Sequence, residues 1–207
     1  MTRLPLIILV LCCVPVRADD WPAFRHDNQR SAISLETVAL PLAPAWVHRP
    51  SAPPQRAWFA PKGRNRSAEV ENLTSTLDYD LAYHAIVAEN RVYYASSATD
   101  DICCLAADGS LKWRFTTEGP VRLAPVYAEQ SIFVGSDDGY VYCLAADSGK
   151  LLWRVQVGPE DRRIPGNGRV ISQWPVRSGL VVENGHVYFC AGLFPSQGVI
   201  LGAVDAR

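Results

Sequence analysis

Two stretches of this chain run in parallel, 40 residues apart. The first reads Val92-Tyr93-Tyr94-Ala95-Ser96, then Ile102-Cys103-Cys104-Leu105-Ala106-Ala107-Asp108-Gly109, then Leu111-Lys112-Trp113-Arg114-Phe115. The second reads Ile132-Phe133-Val134-Gly135-Ser136, then Tyr140-Val141-Tyr142-Cys143-Leu144-Ala145-Ala146-Asp147-Ser148-Gly149, then Leu151-Leu152-Trp153-Arg154-Val155. A third copy begins near Ser178 and reaches Asp205-Ala206-Arg207 without a tryptophan of its own. A repeat of this period, built from short strands, predicts a β-propeller with one blade per repeat. The fold expected is all-β: an incomplete β-propeller of four-stranded antiparallel blades.

The strands follow from alternation and turn chemistry. In the first blade (79–118) they are expected at His84 to Val87, Arg91 to Ser96, Ile102 to Ala106 and Leu111 to Thr116. In the second (119–157) they are expected at Ala124 to Tyr127, Ser131 to Gly135, Tyr140 to Ala145 and Leu151 to Gln156. Asp108-Gly109, Asp137-Asp138-Gly139 and Asp147-Ser148-Gly149 read as hairpin turns. That reading accounts for the aspartates without a calcium loop. Residues 158–207 hold an inter-blade loop from Gly158 to Gln173 and a partial third blade, with strands at Ser178 to Glu183, His186 to Ala191 and Val199 to Val204. Residues 19–78 form an N-terminal segment with one strand at Ala45-Trp46-Val47. A Pro- and Arg-rich loop, read as an extended surface linker, follows from Pro50 to about Glu69.

Residues 1–18 read as a cleaved signal peptide: Arg3, the apolar run Leu6 to Val14, and Val16-Arg17-Ala18 before Asp19. Leu11 before Cys12 argues against a lipoprotein site. The expected location is periplasmic or secreted, with no membrane insertion. A formal net charge of −1 gives no reason to expect nucleic acid. Cys104 and Cys143 occupy the same repeat position, so they fall on equivalent strands of neighbouring blades, too far apart to bridge. They read as small buried hydrophobes. His84 and His186 have no partner at metal-ligand spacing.

From Cys143 to Trp153 the chain resembles the tryptophan-docking motif of the quinoprotein (PQQ-type) propellers, Ala-x-Asp-x-x-Thr-Gly-x-x-x-Trp. Ser148-Gly149 stands for Thr-Gly and Trp153 for the docking tryptophan, while Cys143 and Ala145 depart from the motif. Ala203-x-Asp205 matches the start of the motif, and Trp21-Pro22 through Asp27 is similar to the opening of exported PQQ-like repeat proteins. The resemblance implies structural docking roles for Trp113, Trp153 and Gly149, each tryptophan packing on the neighbouring blade. Family members include PQQ-dependent dehydrogenases and non-enzymatic scaffolds such as the propeller of the outer-membrane-protein assembly machinery.

Pro120-Val121-Arg122 and Pro175-Val176-Arg177 are offset by 55 residues, as are Ile132 and Val187. Arg122 and Arg177 are therefore expected near one mouth of the channel. With Arg162, Arg163 and Arg169 they form a candidate site for a small anionic ligand or carboxylate, PQQ among them. The plainer reading pairs these arginines with neighbouring carboxylates such as Glu160 and Asp161. Neither calcium ligands nor a catalytic base can be assigned, so no cofactor is expected; PQQ with calcium would require a complete propeller. The function expected is an exported binding or assembly scaffold with a protein partner and no catalysis in this chain. The alternative is the N-terminal part of a PQQ-dependent dehydrogenase, and an open blade stack of this kind is expected to be poorly stable and prone to associate.

Overall fold

The computed structural model describes residues 19–57, 80–166 and 168–207. The expected signal peptide and most of the Pro- and Arg-rich loop lie outside these residues. The first blade is β1 (Ala85–Ala88), β2 (Arg91–Ala95), β3 (Asp101–Ala106) and β4 (Leu111–Thr116); the second is β5 (Val126–Ala128), β6 (Ser131–Gly135), β7 (Tyr140–Ala145) and β8 (Leu151–Gln156). A hairpin of β9 (Arg163–Gly166) and β10 (Arg169–Ser172) follows. The third sheet is β11 (Val181–Glu183), β12 (His186–Ala191) and β13 (Ile200–Asp205), with a short 3-10 turn at Pro195–Gln197 before β13. The sheets run β1-β2-β3-β4, β5-β6-β7-β8 and β11-β12-β13, with all neighbours antiparallel. The described residues thus build an incomplete β-propeller.

Alternation along each strand sends side chains to both faces of a blade. Between the first two blades lie Ile86, Tyr93, Ile102, Cys104, Trp113, Val134, Tyr142 and Leu144, all buried. Between the second and third lie Phe133, Val141, Cys143, Trp174, Val176, Val187 and Phe189. Both faces of β7 are therefore covered, which is why it reads as a near-continuous apolar run. Cys103, Cys104 and Cys143 are buried free thiols and Cys190 an exposed one.

Three expectations need correction. The segment from Gly158 to Gln173 is not all loop, because it contains the β9–β10 hairpin. Asn167-Gly168 is a two-residue hairpin signal, but Pro165 so close to it obscures the strand; proline is tolerated there because β9 is an edge strand. Residues 50–57 are not a free linker. Tyr83 Oη donates to Ala52 O (2.9 Å), Gln55 N to Ser97 Oγ (2.9 Å) and Ala57 N to Asp80 Oδ2 (2.8 Å), which holds the segment against the first blade. Residues 45–47 pair with no strand among the described residues.

The N-terminal residues are irregular but closely engaged. Trp21 and Val87 exchange backbone hydrogen bonds (2.6 and 3.0 Å), and Tyr127 N donates to Pro22 O (2.8 Å). Asn28 Nδ2 donates to Val182 O and Arg30 Nη2 to Leu180 O, both at 2.9 Å. Residues 21–30 therefore stitch together the innermost strands β1, β5 and β11 or their immediate approach.

Candidate functional site

In an antiparallel blade the turns alternate between two ends. At one end lie the β3–β4 and β7–β8 hairpins, which receive the tryptophans. Trp113 Nε1 donates to Ala146 O at 3.0 Å, and its ring lies over Gly149. A Cβ on Gly149 would sit 2.5 Å from Trp113 Cε3, and the φ of +71° suits only glycine. Trp153 Nε1 donates to Ala206 O at 3.3 Å, with a half-buried ring. Trp46 does the same on the first blade: its Nε1 donates to Ala107 O at 2.7 Å and its ring lies on Gly109. This third docking tryptophan was hidden in the sequence, because 67 residues separate it from Trp113 instead of 40.

The opposite end gathers the charged residues, on the turns β2–β3 and β6–β7 and on the connections that enter each blade. Asp137 is wholly buried in the β6–β7 turn. Arg122 Nε donates to its Oδ2 at 2.7 Å; Arg177 Nε and Nη2 donate to Oδ1 and Oδ2, each at 2.7 Å. Arg122 also donates to Gln55 O (2.8 Å) and Asp80 Oδ2 (3.1 Å). Arg169 pairs with Asp100 and donates to Gln55 Oε1 at 2.9 Å, so Gln55 joins the two halves of the cluster.

The two repeat-related arginines thus meet, as the 55-residue offset implies, but on an aspartate that the sequence reading had assigned to a turn alone. Any one aspartate suffices for that turn, so nothing in the sequence marks Asp137 as their partner. Arg163 lies apart, on Asp161 (2.6 Å) and Glu118 (3.1 Å), and Arg162 faces Glu160 at 4.0 Å on the surface.

Within the cluster Arg122, Arg169 and Arg177 face Asp80, Asp100 and Asp137, three charges of each sign. Burial pushes the Asp100 carboxyl up from its ordinary range, and the Arg169 guanidinium opposes that rise. Asp138, beside Asp137 in sequence, is pushed up by burial although Tyr142 Oη (2.6 Å) and two backbone N–H groups donate to it. Glu118 is held below the usual carboxylate range, chiefly by its hydrogen bond from Arg154. A PQQ carboxylate at Arg122 and Arg177 would have to displace Asp137, and a calcium ion would have to strip carboxylates from their arginines. The residues present do not fit that cofactor.

Two blades of four antiparallel strands, the first tied to the second by a tryptophan on a glycine hairpin and the second tied to the third sheet by Trp153, define a propeller of the PQQ-like repeat class. The family model described as outer membrane protein assembly factor BamB matches residues 66–198, and the chain belongs to that family. Similar solved structures include two quinohemoprotein alcohol dehydrogenases. The one from Comamonas testosteroni is 16% identical over 91% of this chain and 26% of its own, with a TM-score of 0.54. ADHIIG from Pseudomonas putida HK5 is 21% identical over 63% and 20%, with a TM-score of 0.50. BamB from Moraxella catarrhalis is 18% identical over 59% and 36%, with a TM-score of 0.45. The chain therefore spans between 20% and 36% of the length of these structures. At these identities the likeness is one of fold. No curated protein matches at a significant level.

Proposed function

We propose that the chain is an exported propeller scaffold of the cell envelope that binds a protein partner and carries out no chemistry of its own. The observation that carries this reading is the closure of the polar cluster on itself. Each of its arginines is engaged by a protein carboxylate, and the three charges of either sign balance. Such a cluster fixes the geometry of the blade ends and leaves little charge for a small anion. Membership of the assembly-factor family supports a role in outer-membrane-protein assembly, in the periplasm. No helix among the described residues is long and apolar enough to cross a membrane.

The test has two arms. Titration with PQQ and Ca²⁺, followed by tryptophan fluorescence and dye-linked alcohol and sugar oxidation, is expected to give neither tight binding nor turnover. In the second arm, cross-linking in envelope extracts is expected to join the chain to outer-membrane assembly components. PQQ-dependent turnover abolished by Arg122→Ala and Arg177→Ala would overturn the scaffold in favour of the dehydrogenase.

A further inference from the structure

Residues 117–125 connect the first blade to the second, whereas residues 157–180 connect the second to the third sheet. The excess is the β9–β10 hairpin. Its strands pair with each other and with no other strand among the described residues. A two-stranded hairpin on its own is marginal in water, so its place depends on what it is fastened to.

The register separates a base, where Arg163 faces Ser172, from a far end, where Gly166 faces Arg169. The base is fixed to the second blade and its approach. Gln173 N donates to Arg162 O (2.8 Å), Ser172 N to Asp137 O (2.7 Å) and Arg163 Nη2 to Glu118 Oε2 (3.1 Å). The far end reaches the first blade through one side chain. Arg169 donates to Gln55 Oε1 (2.9 Å) and Ala98 O (3.3 Å) and pairs with Asp100 in the β2–β3 turn. The hairpin therefore crosses the seam between the first two blades.

Apolar burial holds it weakly. Ile171 is buried, but it packs on Gly166 inside the hairpin and belongs to neither apolar cluster between the blades. Val170 faces solvent, 64% exposed. The contact at the far end is also made at a cost. Asp100 Oδ1 is buried and accepts no hydrogen bond among the described residues, and burial disfavours the charged carboxylate that Arg169 needs. A pair desolvated in this way returns little net energy.

We propose that the β9–β10 hairpin is a strap over the seam between the first two blades, that it opens about its base, and that Arg169 is its clasp. Opening leaves a free guanidinium on the strap and an unpaired carboxylate on the first blade, where the closed form shows a balanced cluster. The blades themselves stay folded, because their apolar packing does not include the strap.

The test is a distance measurement on the whole chain. In a Cys190→Ser background, spin labels at Val170→Cys on the strap and Lys112→Cys on the first blade report the closed form as one main distance. A minor, longer-distance population is expected as well, and it should grow about threefold or more as salt rises to about 1 M and screens the clasp. Arg169→Ala is expected to make the longer distances dominant, and Arg169→Lys, which keeps the charge but loses the fork, to fall between. Arg162→Ala, at the exposed base, should leave the distribution unchanged. Hydrogen exchange in β2, β3, β6 and β7 is expected to stay as slow in Arg169→Ala as in the parent. An Arg169→Ala distribution identical to the parent's overturns the proposal. If that variant loses protection in β6 and β7, the salt series with Arg169 in place decides, and a single distance throughout it also overturns the proposal.

Discussion

At the scale of single residues, Asp137 and Trp113 anchor opposite ends of the blades. Asp137→Ala leaves two guanidiniums facing each other, with the Arg122 side chain only 6% exposed. Removing one partner of a buried ion cluster costs about 3–5 kcal/mol, whereas Arg162→Ala, on an exposed pair, is expected to cost about 0–1 kcal/mol. Urea unfolding of the two variants checks the contrast. Trp113→Ala is expected to cost about 3–5 kcal/mol, and Trp153→Ala less, because its ring is only half-buried. The buried thiols add a pH dependence. Burial pushes Cys104 and Cys143 up from 9.0 to about 11, so the folded state favours the neutral thiol. A raised folded-state value means that the contribution is complete below the unfolded value and is lost as pH climbs through the folded one. Stability is expected to fall between pH 9 and about 11, read as a drop in the urea midpoint. At neutral pH, Cys190 alone of these four thiols is expected to alkylate.

At the scale of the element, the hairpin glycine and the tryptophan on it form one unit. Gly149→Ala adds a left-handed backbone cost of about 1–2 kcal/mol and a Cβ where Trp113 now lies. In a Trp113→Ala background only the backbone cost should remain, and a double-mutant cycle measures the difference. The strands of these hairpins were legible in the sequence because three independent signals coincide there: alternation, Asp/Gly turns and repeat spacing. Ser131–Gly135, Tyr140–Ala145 and Leu151–Gln156 fall where those signals place them. The short inner strands were less sharply marked. Val126–Ala128 and Val181–Glu183 start two and three residues later than expected, because few ladder bonds define them. In the charged cluster, the arginines were legible through the repeated Pro-Val-Arg. Their partners were not: Asp80, Gln55 and Asp100 come from three separate connections, and only folding brings them together.

At the scale of the whole molecule, arrays of repeats ordinarily hold together only through contacts between neighbours. Here residues 21–30 bond to all three inner edges at once. Replacing Asn28 and Arg30 together by Ala removes the two side-chain bonds to the third sheet. Hydrogen exchange is then expected to speed up in β11 and β12 well before it does in β6 and β7. Equal protection throughout would show that sheet packing alone couples the blades.

That stitch also has a consequence for the timing of biogenesis. Arg30 and the carbonyl of Leu180 that it holds are 150 residues apart, and contacts of such long sequence separation form late. Residues 21–30, which lock the inner edges, leave the ribosome well before the third sheet that they bind. Until then they are bonded to the two finished blades through Trp21 and Pro22, with Asn28 and Arg30 still without their third-sheet carbonyls. The fastening of the inner edges is complete only when the third sheet arrives, so residues 21–30 serve as a latch that waits for β11.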